Sequence, residues 1–82
     1  EQYAEAILII MQGIEKQPQN AELYYRLAGY LMKRGRKKEA LQNFETAVQL
    51  SFDGYHMLFE FYPELADDND LNNILDIYKS PR

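Results

Sequence analysis

The sequence of 82 residues predicts an all-α protein of about five short helices, with neighbouring helices running antiparallel. Apolar residues recur at spacings of three and four along the whole chain, which is the period of a helix with one buried face. No stretch alternates apolar and polar residues as a half-buried strand does. Gly, Pro, Asn and Asp separate the periodic runs, so the connections are a few residues long, which is typical of antiparallel helices.

The first helix is predicted over residues 2–17, where apolar side chains follow the i, i+3, i+4, i+7 spacing. Leu8 and Ile9 add apolar surface on a second side of this helix. A helix that is apolar nearly all round is buried on most sides. Pro18 ends it, because proline lacks the N–H that the next turn needs.

The second and third helices form the centre of the chain. Asn20 is a favourable N-cap for a helix over 21–34, and Gly35 supplies the left-handed residue that ends it. A third helix is predicted over 37–50. Its apolar side consists of Ala40, Leu41, Phe44, Ala47 and Val48.

The last third of the chain is interrupted by a proline. The Asp-Gly pair at 53–54 predicts a turn, and a helix follows over 55–61. Pro63 predicts a kink or short turn over 63–66. An aspartate at 67–68 caps the last helix, whose apolar residues are Leu71, Ile74, Leu75 and Tyr78.

The sequence repeats at an interval of 34 residues. At this shift Ala6, Ala40 and Ile74 align, as do Ile10, Phe44 and Tyr78. A fixed interval of this length is the signature of stacked helical repeats. We divide the single domain, 1–82, into a half repeat at 1–20, a full repeat at 21–54 and a degenerate terminal repeat or cap at 55–82.

The central unit resembles the tetratricopeptide repeat family. It carries the pattern Tyr24-x2-Leu27-Ala28-x2-Leu31 and then Ala40-x3-Phe44, while the first unit carries Ala6-x3-Ile10, Gly13 and Pro18. The resemblance implies helix pairs stacked as a right-handed α-solenoid. It also implies that the chain is a piece of a longer repeat protein.

The resemblance implies a protein–protein interaction scaffold that holds a peptide or partner helix in a concave groove. By helical phase, the groove-lining candidates are Glu22, Tyr25, Arg26, Gly29, Met32, Lys33, His56, Phe59 and Glu60. Tyr25 and Phe59 align at the 34-residue shift, so they either grip an extended peptide or pack between the stacked helices. The family members that clamp C-terminal carboxylates have Lys and Asn where this chain has Tyr25 and Gly29, so a receptor for chaperone tails is not expected.

The first helix carries a predicted self-association patch, since no helix of its own unit accompanies it. The patch consists of Ile7, Leu8, Ile9 and Met11. An exposed apolar patch marks an association site, so we expect a homodimer through this helix.

Two other interpretations remain open. In one, the segment is purely structural and caps a longer solenoid or makes a dimer. In the other, the basic turn over 33–38, with five Lys and Arg residues, contacts nucleic acid. The net charge of −4 and the seven acids from Asp53 to Asp76 oppose the second interpretation, and a solvated turn explains the bases.

The sequence contains few residues that could take part in catalysis or bind a cofactor. His56 stands in no nucleophile motif, and no glycine-rich phosphate loop is present, so neither an enzyme nor a cofactor is expected. A calcium loop starting at Asp68 fails, because Asn73 and Lys79 occupy its glycine and glutamate positions. No apolar run is long enough to span a membrane. The absence of Cys fits a reducing compartment such as the cytoplasm.

Overall fold

The structure is a computed structural model that describes residues 2–79, and this part of the chain contains five α-helices and no strand. Residue 1 of the predicted half repeat and residues 80–82 of the predicted terminal repeat lie outside the described residues. Two 3₁₀ segments, Phe52–Gly54 and Pro63–Asp67, flank the fourth helix. The helices are α1 (Gln2–Lys16), α2 (Ala21–Lys33), α3 (Lys37–Leu50), α4 (Tyr55–Phe61) and α5 (Asn69–Lys79). The all-α prediction is confirmed.

The helix boundaries follow from local chemistry. The Asn20 side chain accepts the Glu22 N–H at 3.1 Å at the start of α2. Gly35 has a φ of 79°, a conformation that costs little only without a Cβ. Pro63 begins the second 3₁₀ segment, so α4 has seven residues where α2 has thirteen.

Helix α2 lies at the centre and packs against α1, α3 and α4. One apolar cluster joins α1, α2 and α3 through Ile7, Ile10, Leu27, Leu31 and Ala40. A larger cluster joins α2 to the C-terminal helices through Tyr25, Ala28, Phe44, Ala47, Val48, Leu58, Leu65, Leu71 and Leu75. Ala40 and Phe44 are fully buried, as the repeat pattern predicts.

The last helix departs from the 34-residue spacing. That spacing places Ile74 and Tyr78 where Ala40 and Phe44 lie, yet the buried residues of α5 are Leu71 and Leu75. The most buried positions therefore come three residues early. We attribute this to the 3₁₀ segment after α4, which winds more tightly and rises faster per residue than an α-helix.

Substitution of Ala47 tests the close approach of α3 to its neighbours. Ala47 is fully buried in the larger cluster, so Ala47→Leu forces extra methylenes into a packed site. We expect the free energy of unfolding to fall by about 1–3 kcal/mol, measured by chemical denaturation. An unchanged midpoint would contradict this helix register.

Candidate functional site

Two of the predicted groove residues are buried instead of exposed. Tyr25 is inside the core, where its ring meets Phe44 edge-on with centroids 5.7 Å apart. Its hydroxyl donates to the carbonyl oxygen of Ser51 at 2.6 Å. Burial raises the pKa of Tyr25, and the backbone N–H of Tyr55 lowers it only in part. Tyr25 therefore ties α2 to the joint between α3 and α4 and does not line a groove.

Helix α4 approaches α2 closely at Gly29. A Cβ at this position would lie 2.9 Å from a Leu58 methyl carbon and 3.0 Å from the Tyr62 ring. The residue is buried, so its predicted place on the groove surface is also wrong. Helix α4 covers α2 at Gly29, one of the positions that helical phase assigned to a partner.

The other predicted residues of α2 remain at the surface, with Met32 partly buried. The guanidinium of Arg26 pairs with Glu22 at 2.9 Å, one turn earlier on the same helix. The Lys33 ammonium lies 2.6 Å from the Glu64 carboxylate and 5.4 Å from the centre of the Tyr62 ring. The hydrogen bond from Lys33 lowers the pKa of Glu64.

The predicted residues of α4 do not line the space beside α2. The ring of His56 lies 4.1 Å from that of Tyr55, and Phe59 is partly buried with its ring edge-on to Tyr55 at 5.6 Å. Glu60 is exposed. Tyr25 and Phe59 thus meet different aromatic neighbours.

A cavity of about 70 Å³ lies between α2 and α4. It is lined by Arg26, Tyr30, Met57, Leu58, Phe61 and Tyr62, and of these the sequence predicted only Arg26. At the 34-residue shift Phe61 and Tyr62 align with Leu27 and Ala28, which are both buried. Because α4 ends early, Phe61 lies at its last turn with 64% of its surface exposed. The proline two residues later was the available signal.

The basic turn is held by acids of the same chain. Lys37 contacts Asp70 at 2.8 Å and Asp68 at 3.0 Å, and the hydrogen bonds that its ammonium donates to these two carboxylates raise the pKa of Lys37. Arg36 contacts Glu39 at 2.6 Å. Lys37 thus joins the central unit to the start of α5, whereas Arg36 pairs within the central unit.

Asp68 caps α5, as one of the two alternatives at 67–68 predicted. Its carboxylate accepts the N–H groups of Asp70 at 2.9 Å and Leu71 at 3.0 Å. Burial by itself raises the pKa of Asp68, but the Leu71 N–H and the Lys37 ammonium outweigh it, so the pKa is lowered.

The lowered pKa of Asp68 predicts a loss of stability in acid. The contribution of this carboxylate is fully present above the unfolded pKa of about 3.9 and is lost as pH falls through the folded value. Asp68→Asn keeps a capping oxygen but cannot titrate, so its unfolding midpoint should change less below pH 4 than that of the wild type. Asp67→Ala, at an exposed neighbour, is the control. Equal acid slopes in wild type and Asp68→Asn would contradict the assignment.

The predicted self-association patch is divided by the structure. Ile7 is buried against α2, which corrects its place in the patch. Leu8, Ile9 and Met11 are exposed, at 58%, 66% and 50% of their surface. Leu8 and Met11 line a second, open cavity of about 420 Å³ between α1 and α3, whereas Ile9 does not. Its lining residues are Leu8, Met11, Gln12, Ile14, Glu15, Tyr24, Leu27 and Asn43.

The described part of the chain contains neither a cluster of metal-ligating side chains nor a membrane-spanning helix. Across residues 2–79, no three acidic or histidine side chains come together in a way that could hold a metal ion. Over the same residues, every helix is too short or too polar to cross a bilayer.

The comparisons with known proteins place the central unit in a family. The family model for the tetratricopeptide repeat matches residues 21–53, which are α2, α3 and the joint after them. The central unit is therefore similar to a tetratricopeptide repeat. No significant match was found among curated proteins or among solved structures. Tetratricopeptide repeats generally mediate protein–protein interactions, and domains built from them are typically scaffolds without catalytic activity.

Proposed function

We propose that this tetratricopeptide repeat segment binds a peptide of another protein in the cavity between α2 and α4. The observation that carries the proposal is Phe61, an aromatic side chain left largely exposed beside that cavity. An exposed aromatic side chain next to a concave apolar surface is typical of a binding anchor. Tyr30 and Met57 extend the apolar wall on either helix.

The volume and lining of the cavity favour a particular kind of peptide. A volume of about 70 Å³ admits one apolar side chain and not a buried helix. Arg26 lies at the rim and offers a planar donor pair for a carboxylate. Its present partner, Glu22, is about half exposed, as is Arg26, and such surface pairs contribute little, so exchange for a ligand carboxylate costs little. We therefore expect an extended peptide with an apolar anchor beside an acidic residue.

The test uses a displayed library of random linear peptides selected on the wild-type chain. Enriched peptides should share an apolar anchor next to Asp or Glu and should bind Phe61→Ser at least tenfold more weakly. Ile77→Ser is the matched control, because Ile77 is 68% exposed on α5 and lines neither cavity. Enriched peptides that bind Phe61→Ser and wild type equally would overturn the proposal and favour the structural interpretation.

We also propose self-association through α1, with Ile9 as its centre. Ile9 is the most exposed of the three surface apolar residues of this helix and lines neither cavity. Sedimentation equilibrium should show a dimer that Ile9→Ser dissociates. A wild-type monomer at high protein concentration would refute it.

Binding of nucleic acid through the basic turn is disfavoured by the ion pairs of Lys33, Arg36 and Lys37 with Glu64, Glu39, Asp68 and Asp70. A gel-shift series against salt tests it. Affinity that falls steeply with salt, as counterion release requires, would reinstate this interpretation.

A further inference from the structure

One side of α2 carries a cation at each end of the peptide cavity. Arg26, Tyr30 and Lys33 follow one another at helical spacing, so their side chains lie on the same side of the helix. Arg26 and Tyr30 line the cavity. The Lys33 ammonium lies 5.4 Å from the centre of the Tyr62 ring, which lines the cavity as well. The peptide proposed above contacts Arg26, and Lys33 places a second cation beside the same cavity.

Each of the two cations holds a carboxylate of the same chain. The Glu22 carboxylate accepts hydrogen bonds from Nε and Nη2 of Arg26, at 3.1 and 2.9 Å. The Glu64 carboxylate accepts from Nζ of Lys33 at 2.6 Å. Both glutamate side chains are about half exposed, and exposed ion pairs contribute little free energy. Each position therefore accepts a carboxylate, and a carboxylate from a ligand can replace the glutamate at little cost.

The distance between the two cations sets the spacing of acidic residues in the ligand. Arg26 and Lys33 are seven residues apart, and a rise of about 1.5 Å per residue separates their backbones by about 10 Å. An extended peptide spans this distance in about three residues, because it rises about 3.3 Å per residue. The cavity between them, of about 70 Å³, admits one apolar side chain. One acidic residue thus precedes the apolar anchor and another follows it.

We propose that Arg26 and Lys33 together determine specificity, and that the partner is an extended peptide with Asp or Glu on both sides of its apolar anchor. This inference rests on the proposed binding of a peptide between α2 and α4. The two acidic residues of the peptide replace Glu22 at Arg26 and Glu64 at Lys33. The two glutamates are therefore competitors of the peptide for the same cations.

The test compares the two partners of one ion pair, using the peptides enriched on the wild-type chain. Lys33→Gln should weaken their binding about two- to fivefold, which is the range for an exposed ion pair. Glu64→Gln removes the competitor and should strengthen binding by a similar factor. In the Lys33→Gln background, Glu64→Gln should have no effect. Lys38→Gln is the matched control, because Lys38 is exposed and lines neither cavity.

The opposite signs separate ligand contact from a structural role. If the pair of Lys33 and Glu64 only held the second 3₁₀ segment against α2, both substitutions would weaken binding, and that result would overturn the inference. Peptides in which the acidic residue on one side is replaced by its amide provide a second readout. One of the two amide peptides should bind wild type and Lys33→Gln equally. Arg26→Gln and Glu22→Gln repeat the comparison at the other end of the cavity.

Two further results would overturn the inference. One is enrichment of peptides with an acidic residue on one side of the anchor only. The other is equal binding of the enriched peptides to wild type and Lys33→Gln while Phe61→Ser still weakens it, which would leave the proposed peptide site standing. Equal binding to wild type and Phe61→Ser would instead refute the peptide site and this inference with it.

Discussion

Phe44→Ala is expected to bring the domain close to unfolding. Phe44 is fully buried and meets Tyr25 within the cluster that joins α2, α3, α4 and α5. Truncation of a buried phenylalanine costs about 3–5 kcal/mol through lost burial and the cavity left behind. A domain this small has a narrow stability margin, so the variant should lose its cooperative unfolding transition or show a much lower melting temperature.

Phe61→Ala is the matched control, because it removes the same ring from a largely exposed site. Its free energy of unfolding should stay within about 0.5 kcal/mol of the wild type. Calorimetry or chemical denaturation measures the free energy of unfolding of both variants. Similar losses at both positions would mean that Phe61 is part of the core and not a surface anchor.

Gly54→Ala is expected to destabilise the joint between α3 and α4. The backbone at Gly54 is ordinary, with φ of −64°, so conformational strain is not the reason. A Cβ here would collide with Cε2 of Tyr25, and that ring is buried and anchored by its hydroxyl at Ser51. Because the ring cannot move aside freely, we expect a loss of about 1–3 kcal/mol.

A double-mutant cycle with Tyr25→Leu identifies the cause of that loss. If the Tyr25 ring is the obstacle, Gly54→Ala should cost less in the Tyr25→Leu background than in the wild type. Chemical denaturation of the four proteins gives the coupling free energy. Strict additivity would show that the alanine acts through some other contact.

The helices and their ends were predictable because they depend on nearby residues. The apolar period, the Asn20 cap, the left-handed Gly35 and the proline at 63 each act within one or two turns. The burial of Ala40 and Phe44 was predictable for a related reason, since small and large apolar residues recur at one interval along the chain. The apolar period, the Gly35 turn and this recurrence coincide in residues 21–53, which match the tetratricopeptide repeat model.

The candidate site was predicted less well, because aromatic residues such as Tyr25 and Phe61 can be either buried in a core or exposed at a binding surface. Tyr25 looked like a surface anchor, but its hydroxyl finds a carbonyl 26 residues away, which no local pattern shows. Gly29 has no side chain whose polarity would indicate whether the position is buried or exposed. Phe61 looked like core until the early end of α4 left it exposed.

The sequence by itself determined that this chain is a series of short helices around a unit similar to a tetratricopeptide repeat, because local periodicity and capping set each helix. Only the tertiary structure decided which side of α2 stays exposed, since that depends on how α4 docks across Gly29. It also decided that the basic turn joins the acidic C-terminal helices. Charges far apart in sequence meet only once the helices are packed.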